Sequence, residues 1–208
     1  MVGFAWTGRL DDANALWFDL SLRTADYDEE GDPPEDPEGY DAWISPIVWN
    51  NYHCCFLSST KWEDATGLLA ATPERPFRFT DPRPQRLTAD PLPVEDLDAQ
   101  PAFHIYLLGH DSVAGHEVEF TRQDAGGFSI AWTGRIALTY TGDEEFRHGF
   151  RAEIRDAALG PIRVADGMPV EEARRRLTQL IDIPLVDAPH QMAESELDGH
   201  RVLMLPGP

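Results

Sequence analysis

Phe128, Ile130, Trp132, Gly134, Ile136, Leu138 and Tyr140 put an apolar residue or a glycine at every second position of one stretch. Ser129, Ala131, Thr133, Arg135, Ala137 and Thr139 fill the alternate places. A period of two belongs to an extended strand with one buried face, because successive side chains point to opposite sides. Gly134, which has no side chain, marks where so long a strand kinks, bulges or admits a neighbour. The five residues Ala131–Arg135 recur as Ala5–Arg9, and Val2, Phe4, Trp6, Gly8 and Leu10 alternate in the same way.

The residues after each copy are also similar. Leu16, Phe18, Leu20 and Leu22 alternate and end at Arg23, while Phe150, Ala152 and Ile154 alternate and end at Arg155. Two explanations stay open: a duplication giving two related β modules, which is preferred, or two strands with similar burial needs. Two copies are too few for a solenoid.

Between these halves the chain changes character several times. Asp26 to Asp41 holds nine carboxylates, three prolines and no basic residue, so it reads as a loop. Asp26-x-Asp28-x-Glu30-Gly31 starts like a calcium loop, but Pro37 stands where a bidentate Glu is needed. Trp43 to Ser58 is apolar on both faces and suits one or two central strands, with Asn50-Asn51 as a turn. Thr60-x-x-Glu63 has the form of a capping box and predicts a short helix to Leu69 or Ala70. Residues 73–101 carry seven of the seventeen prolines and read as an extended connector that joins two modules or wraps around one.

Beyond the connector, strands are expected at Phe103–Leu107, Val118–Phe120, Arg147–Arg155 and Ile162–Val164. Gly126-Gly127 predicts a hairpin turn. Pro169 opens a helix with Val170, Ala173, Leu177 and Leu180 on one face. Gln191–Leu197 suggests a short helix, and Val202–Leu205 a last strand. The expected fold is α+β, a predominantly antiparallel sheet with one or two packed helices. The expected organisation is a β-rich module with a short helix over 1–72, the connector over 73–101, a β-rich module over 102–186 with its helix at 169–181, and a tail over 187–208. One compact domain containing all four is also compatible.

The residues with reactive side chains form no known catalytic pattern. His104, His110 and His116 are evenly spaced, but even spacing does not bring three ligands to one point. His116-Glu117-x-Glu119 lacks the spacing that places two histidines on one helical face. Cys54 and Cys55 are neighbours on an expected strand, so they face opposite ways and do not bridge; they read as reduced core thiols rather than a nucleophile for His53. Ser58-Ser59-Thr60 is explained by the helix cap. No serine elbow, phosphate loop, dinucleotide fingerprint or paired-cysteine zinc motif is present. Trp43/Trp49 and Trp6/Trp132 line a pocket or, more simply, fill a core.

Charge is the remaining guide. Formal net charge is −20, with Lys61 as the one lysine among seventeen basic residues. Such a field repels nucleic acid and anionic membranes and speeds encounter with basic partners. No run is long enough to span a membrane, and Met1–Leu10 does not read as a leader, so a cytoplasmic location is expected. The favoured function is therefore a small acidic, non-catalytic binding protein engaging a basic protein partner. Asp26, Asp28, Glu29, Glu30, Asp32, Glu35, Asp36 and Glu38 are its expected contact residues. Immunity proteins that block a toxin, and nucleic-acid mimics, are similar in composition, though in no motif. The competing class is a small-molecule enzyme or ligand-binding β domain with a pocket lined by Trp, Tyr and His. Neither reading calls for a cofactor or a metal.

Overall fold

Twelve strands, β1 to β12, and one helix, α1, organise the described part of the chain. The computed structural model describes residues 3–25, 54–62, 65–96, 99–107, 109–124, 126–182, 193–197 and 199–205. The strands run β1 (Gly3–Leu10), β2 (Leu16–Arg23), β3 (Phe56–Ser58), β4 (Leu68–Ala71), β5 (Gln85–Ala89) and β6 (His104–Tyr106). They continue with β7 (His110–Arg122), β8 (Phe128–Ala137), β9 (His148–Ala157), β10 (Ile162–Val164), β11 (Ala193–Leu197) and β12 (His200–Met204). The helix α1 spans Val170–Leu180. One mixed sheet has the order β11-β12-β10-β1-β2-β3-β6-β7-β8-β9, with β4 beside β2 and β5 beside β7. The β1–β10 pair is parallel; the other strand pairs are antiparallel.

The sheet curls back on itself. Trp6 of β1 lies 5.1 Å from Phe120 of β7 and 5.5 Å from Phe128 of β8, ring centre to ring centre, although several strands separate them in the sheet. The bend falls in β7, where register shifts between Ala114 and Glu117 and Gly115 takes a positive φ of 63°. Before this bulge β7 pairs with β6, and after it with β5. An inserted residue bends its strand and raises local twist, which is how one long strand serves two differently oriented halves.

The alternating residues fill the space so enclosed. Phe128, Ile130, Trp132 and Ile136 of β8 are buried, as are Trp6, Leu10, Leu16, Phe18, Leu20 and Leu22 of the β1–β2 hairpin. Phe77, from the proline-rich stretch, is buried between Phe18 and Phe120 at 5.0 and 5.5 Å. Its N–H donates to the carbonyl of Leu180 at 2.8 Å, tying that stretch to the end of α1. The helix turns Ala173, Leu177 and Leu180 inward. The 73–101 stretch thus supplies both core and a strand, β5, which its single buried apolar residue, Leu87, did not announce.

Two stretches expected to be helical contain strands where they are described. Leu68–Ala71 pairs antiparallel with Leu16–Phe18 instead of closing a helix begun at Thr60. Ser58 Oγ receives the N–H groups of Thr60 and Lys61 at 3.0 and 3.2 Å, the geometry of a serine turn, and Gly67 follows at φ 73°, outside the helical region. What holds this turn is polar. Asp19, 4% exposed on the outer face of β2, binds Arg9 Nε at 2.6 Å and Ser59 Oγ at 3.0 Å, and Arg9 Nη2 donates to Thr66 O at 2.6 Å. A buried carboxylate needs such partners, and the 58–67 segment brings them to the hairpin. Ala193–Leu197 likewise pairs with β12 rather than forming a helix. The expected turn at Asn50-Asn51, His53 and the Trp43–Trp49 stretch lie outside the described residues.

Candidate functional site

The β7 bulge and the segment after β5 build a pocket together. Gly115 N donates to Asp90 O at 2.6 Å, and Ala102 N donates to Asp90 Oδ2 at 2.9 Å. Asp90, at a positive φ of 47°, therefore pins the beginning of the 90–102 segment to β7 and to its own far end. Pro91, Pro93 and Pro101 have no N–H to give to a sheet, and the β5–β7 ladder ends at Ala89. The space beneath is a pocket of about 460 Å³. That volume lies within the range of about 300–1,000 Å³ usual for small-ligand pockets.

Its walls mix apolar surface with carboxylates. Leu92, Val94, Phe103, Val113 and Phe146 supply the apolar part, and Asp90, Glu95, Asp96 and Asp111 the acidic part, with His104 also in the lining. Asp111 is 8% exposed; its Oδ1 accepts the Tyr140 N–H at 3.1 Å, while its buried Oδ2 has no hydrogen-bond partner. A desolvated carboxylate oxygen without a donor costs several kcal/mol unless something supplies one. Burial also pushes the Asp90 carboxyl above its ordinary range, against the opposing pull of the Ala102 N–H and the His104 imidazole. Both effects reverse when a cation enters.

The kind of cation is set by the spacing. Among the described residues no three His, Cys, Asp or Glu side chains converge so as to hold a metal ion. Carboxylates spread around an apolar wall suit an organic cation, whose charge is dispersed over several donors and whose stem is hydrophobic. A guanidinium on an aliphatic stem has both properties.

The histidines and cysteines singled out by sequence go elsewhere. His116 is buried in the core beside Phe103 and Trp132. Its Nδ1 accepts the Trp132 indole N–H at 3.2 Å, so the neutral ring carries its proton on Nε2, 3.8 Å from Asp90 Oδ2. Burial pushes its pKa down to about 3, making it a neutral core group at physiological pH. His104 and His110 flank Trp62 at 5.7 and 6.1 Å and do not join His116. Cys54 and Cys55 are free and buried, and burial raises the Cys55 thiol to about 11, far from a nucleophile's range.

The eight expected contact residues, Asp26, Asp28, Glu29, Glu30, Asp32, Glu35, Asp36 and Glu38, lie outside the described residues. Sequence reasoning passed over Asp90 and Asp111, two of 37 carboxylates with no local pattern to set them apart. Asp111 did carry one signal: an acidic residue two places before a buried β-branched one, on the side of the strand that alternation turns inward. No protein-family model, curated protein or solved structure matches this chain.

Proposed function

We propose that this protein is a small acidic binding protein, working in the cytoplasm without catalysing a reaction, whose partner is a basic protein. It takes a cationic side chain of that partner into the pocket under the 90–102 segment. The observation that carries this reading is Asp111, a pocket-lining residue whose buried Oδ2 has no hydrogen-bond partner, together with the three other carboxylates of that pocket, in a chain of net charge −20. The acidic field raises encounter rates, and the pocket gives the encounter a place to end. Toxin inhibition and nucleic-acid mimicry are the two activities this chemistry fits. The matched pairing of Gly8 with Phe18 and Gly134 with Phe150 supports reading the two halves as products of a duplication.

Titration calorimetry with an arginine-rich peptide and its citrulline counterpart tests the pocket. The arginine peptide binds, the citrulline peptide binds at least about tenfold more weakly, and Asp111→Asn weakens the arginine peptide by about 2 kcal/mol or more, as loss of a buried charge partner does. Equal binding of both peptides, or an unaffected Asp111→Asn, would contradict the reading. In a complex, replacing Asp28, Glu29, Glu30, Asp32, Glu35 and Asp36 by their amides slows association and flattens its salt dependence, with little change in stability.

A further inference from the structure

On the opposite chemistry, Arg9 and Arg163 stand side by side. They are register partners in the parallel β1–β10 pair, so both side chains leave the outer face of the sheet. Together with Asp19, Thr7, Trp62 and His200 they line a second pocket, of about 420 Å³, beside Ser59, Thr60 and Ala65. Arg9 is held in place: Nε and Nη2 are spent on Asp19 and Thr66, and Nη1 has no described partner. Arg163 has no ion-pair or hydrogen-bond partner among the described residues. His200 faces Asp166 at 3.7 Å, and that carboxylate lies outside the pocket lining. In a chain with 37 acidic and 17 basic residues, an arginine left without a carboxylate beside another arginine is a specific arrangement.

We propose that this second pocket binds a small carboxylic acid with an aromatic or apolar body. Two guanidinium charges against the single Asp19 carboxylate leave one positive charge, which one carboxylate neutralises and a phosphate dianion overshoots. Arg163 offers the planar donor fork that matches a carboxylate, and Arg9 Nη1 adds a fixed donor beside it. The body of the ligand lies against Trp62, Val202 and Leu197, the last a leucine left 52% exposed at the lip. The site is independent of the acidic pocket and of the basic partner.

Titration calorimetry with phenylacetate, acetate, inorganic phosphate and phenethylamine tests this. Phenylacetate binds saturably with a Kd below about 1 mM, acetate binds at least about tenfold more weakly, and phenethylamine does not compete. Arg163→Gln, a change at an exposed strand position that leaves melting unchanged, weakens phenylacetate at least about tenfold. Trp62→Leu weakens phenylacetate and leaves acetate as it was. Asp111→Asn changes neither, so failure of the acidic pocket is read separately. Absence of saturable phenylacetate binding, undiminished binding by Arg163→Gln, or tighter binding of phosphate than of phenylacetate overturns the proposal.

Discussion

The β1–β2 hairpin and the β8–β9 pair are built on one pattern and end in different chemistry. In the first, Gly8 pairs with Phe18, Trp6 with Leu20 and Phe4 with Leu22. In the second, Gly134 pairs with Phe150, Trp132 with Ala152 and Ile130 with Ile154, the same register from the repeated glycine. Both tryptophans are buried. The outer faces diverge. Opposite Thr7 stands Asp19, buried under the 58–67 segment with Arg9 and Ser59; opposite Thr133 stands Arg151, exposed and paired with Glu153 at 2.7 Å. The far neighbours differ too. A Cβ on Gly8 would meet Ile162 at 3.1 Å, whereas one on Gly134 would meet His116 at 3.1 Å and Phe150 at 2.5 Å. The repeat sets strand pairing and core; the acidic pocket draws on residues outside it, and the second pocket joins Thr7, Gly8 and Arg9 of the first copy to Asp19, Ser59, Thr60 and Arg163, which the repeat does not contain.

Truncating the tryptophans tests the shared part. Trp6→Ala and Trp132→Ala each cost about 3–5 kcal/mol in urea unfolding, as aromatic truncations in cores do. A cost below about 1 kcal/mol at either would break the equivalence. The outer faces should then separate. Asp19→Asn costs about 3 kcal/mol, the low end for a broken buried pair because Arg9 stays 27% exposed, while Arg151→Gln costs under about 0.5 kcal/mol. Similar costs for the two would mean that the 58–67 cover is not what distinguishes the halves.

His116 gives the second half an acid sensitivity that Ile162 denies the first. Its folded pKa of about 3 lies below the ordinary 6.5, so as pH falls the unfolded chain takes up this proton first. Its contribution to stability is complete above about pH 6.5 and is lost towards pH 3, by up to about 1.4 kcal/mol per pH unit. Asp90, raised by burial and 3.8 Å away, works in the opposite direction, so the difference between wild type and His116→Leu isolates the histidine. Denaturant midpoints across that range should show a shallower acid loss in His116→Leu; parallel curves would contradict the assignment. The smallest contrast lies in the indole N–H groups. Trp132→Phe strands His116 Nδ1 and should cost about 1 kcal/mol more than Trp6→Phe, whose Nε1 has no partner to lose.

Strong alternation made β1, β2, β8 and the Gly126-Gly127 hairpin legible, and a 3.6-residue period did the same for α1. The hairpin keeps one antiparallel register up to its turn, with Val118 facing Trp132, Phe120 facing Ile130 and Arg122 facing Phe128. Elsewhere, tertiary partners outweighed local signals. Thr60-x-x-Glu63 satisfies a helix-cap pattern, yet the Ser58 turn and the demand of buried Asp19 for Ser59 take the segment another way. Gln85–Ala89 has one buried apolar residue and is a strand because β7 offers it an edge. The pockets were illegible for a related reason. Asp90 meets Gly115, and Arg9 meets Arg163, across separations that leave no trace in spacing. Charge alone pointed towards a basic partner, and it did not point to Asp111.

Affinity capture from the source cell, run in parallel on immobilised wild type and Asp111→Asn and eluted with rising salt, tests the central claim most directly. A basic protein held by the wild type, released by moderate salt and held poorly by Asp111→Asn, is the predicted result. A partner that is neutral or acidic, insensitive to salt, and retained equally by both proteins would contradict it.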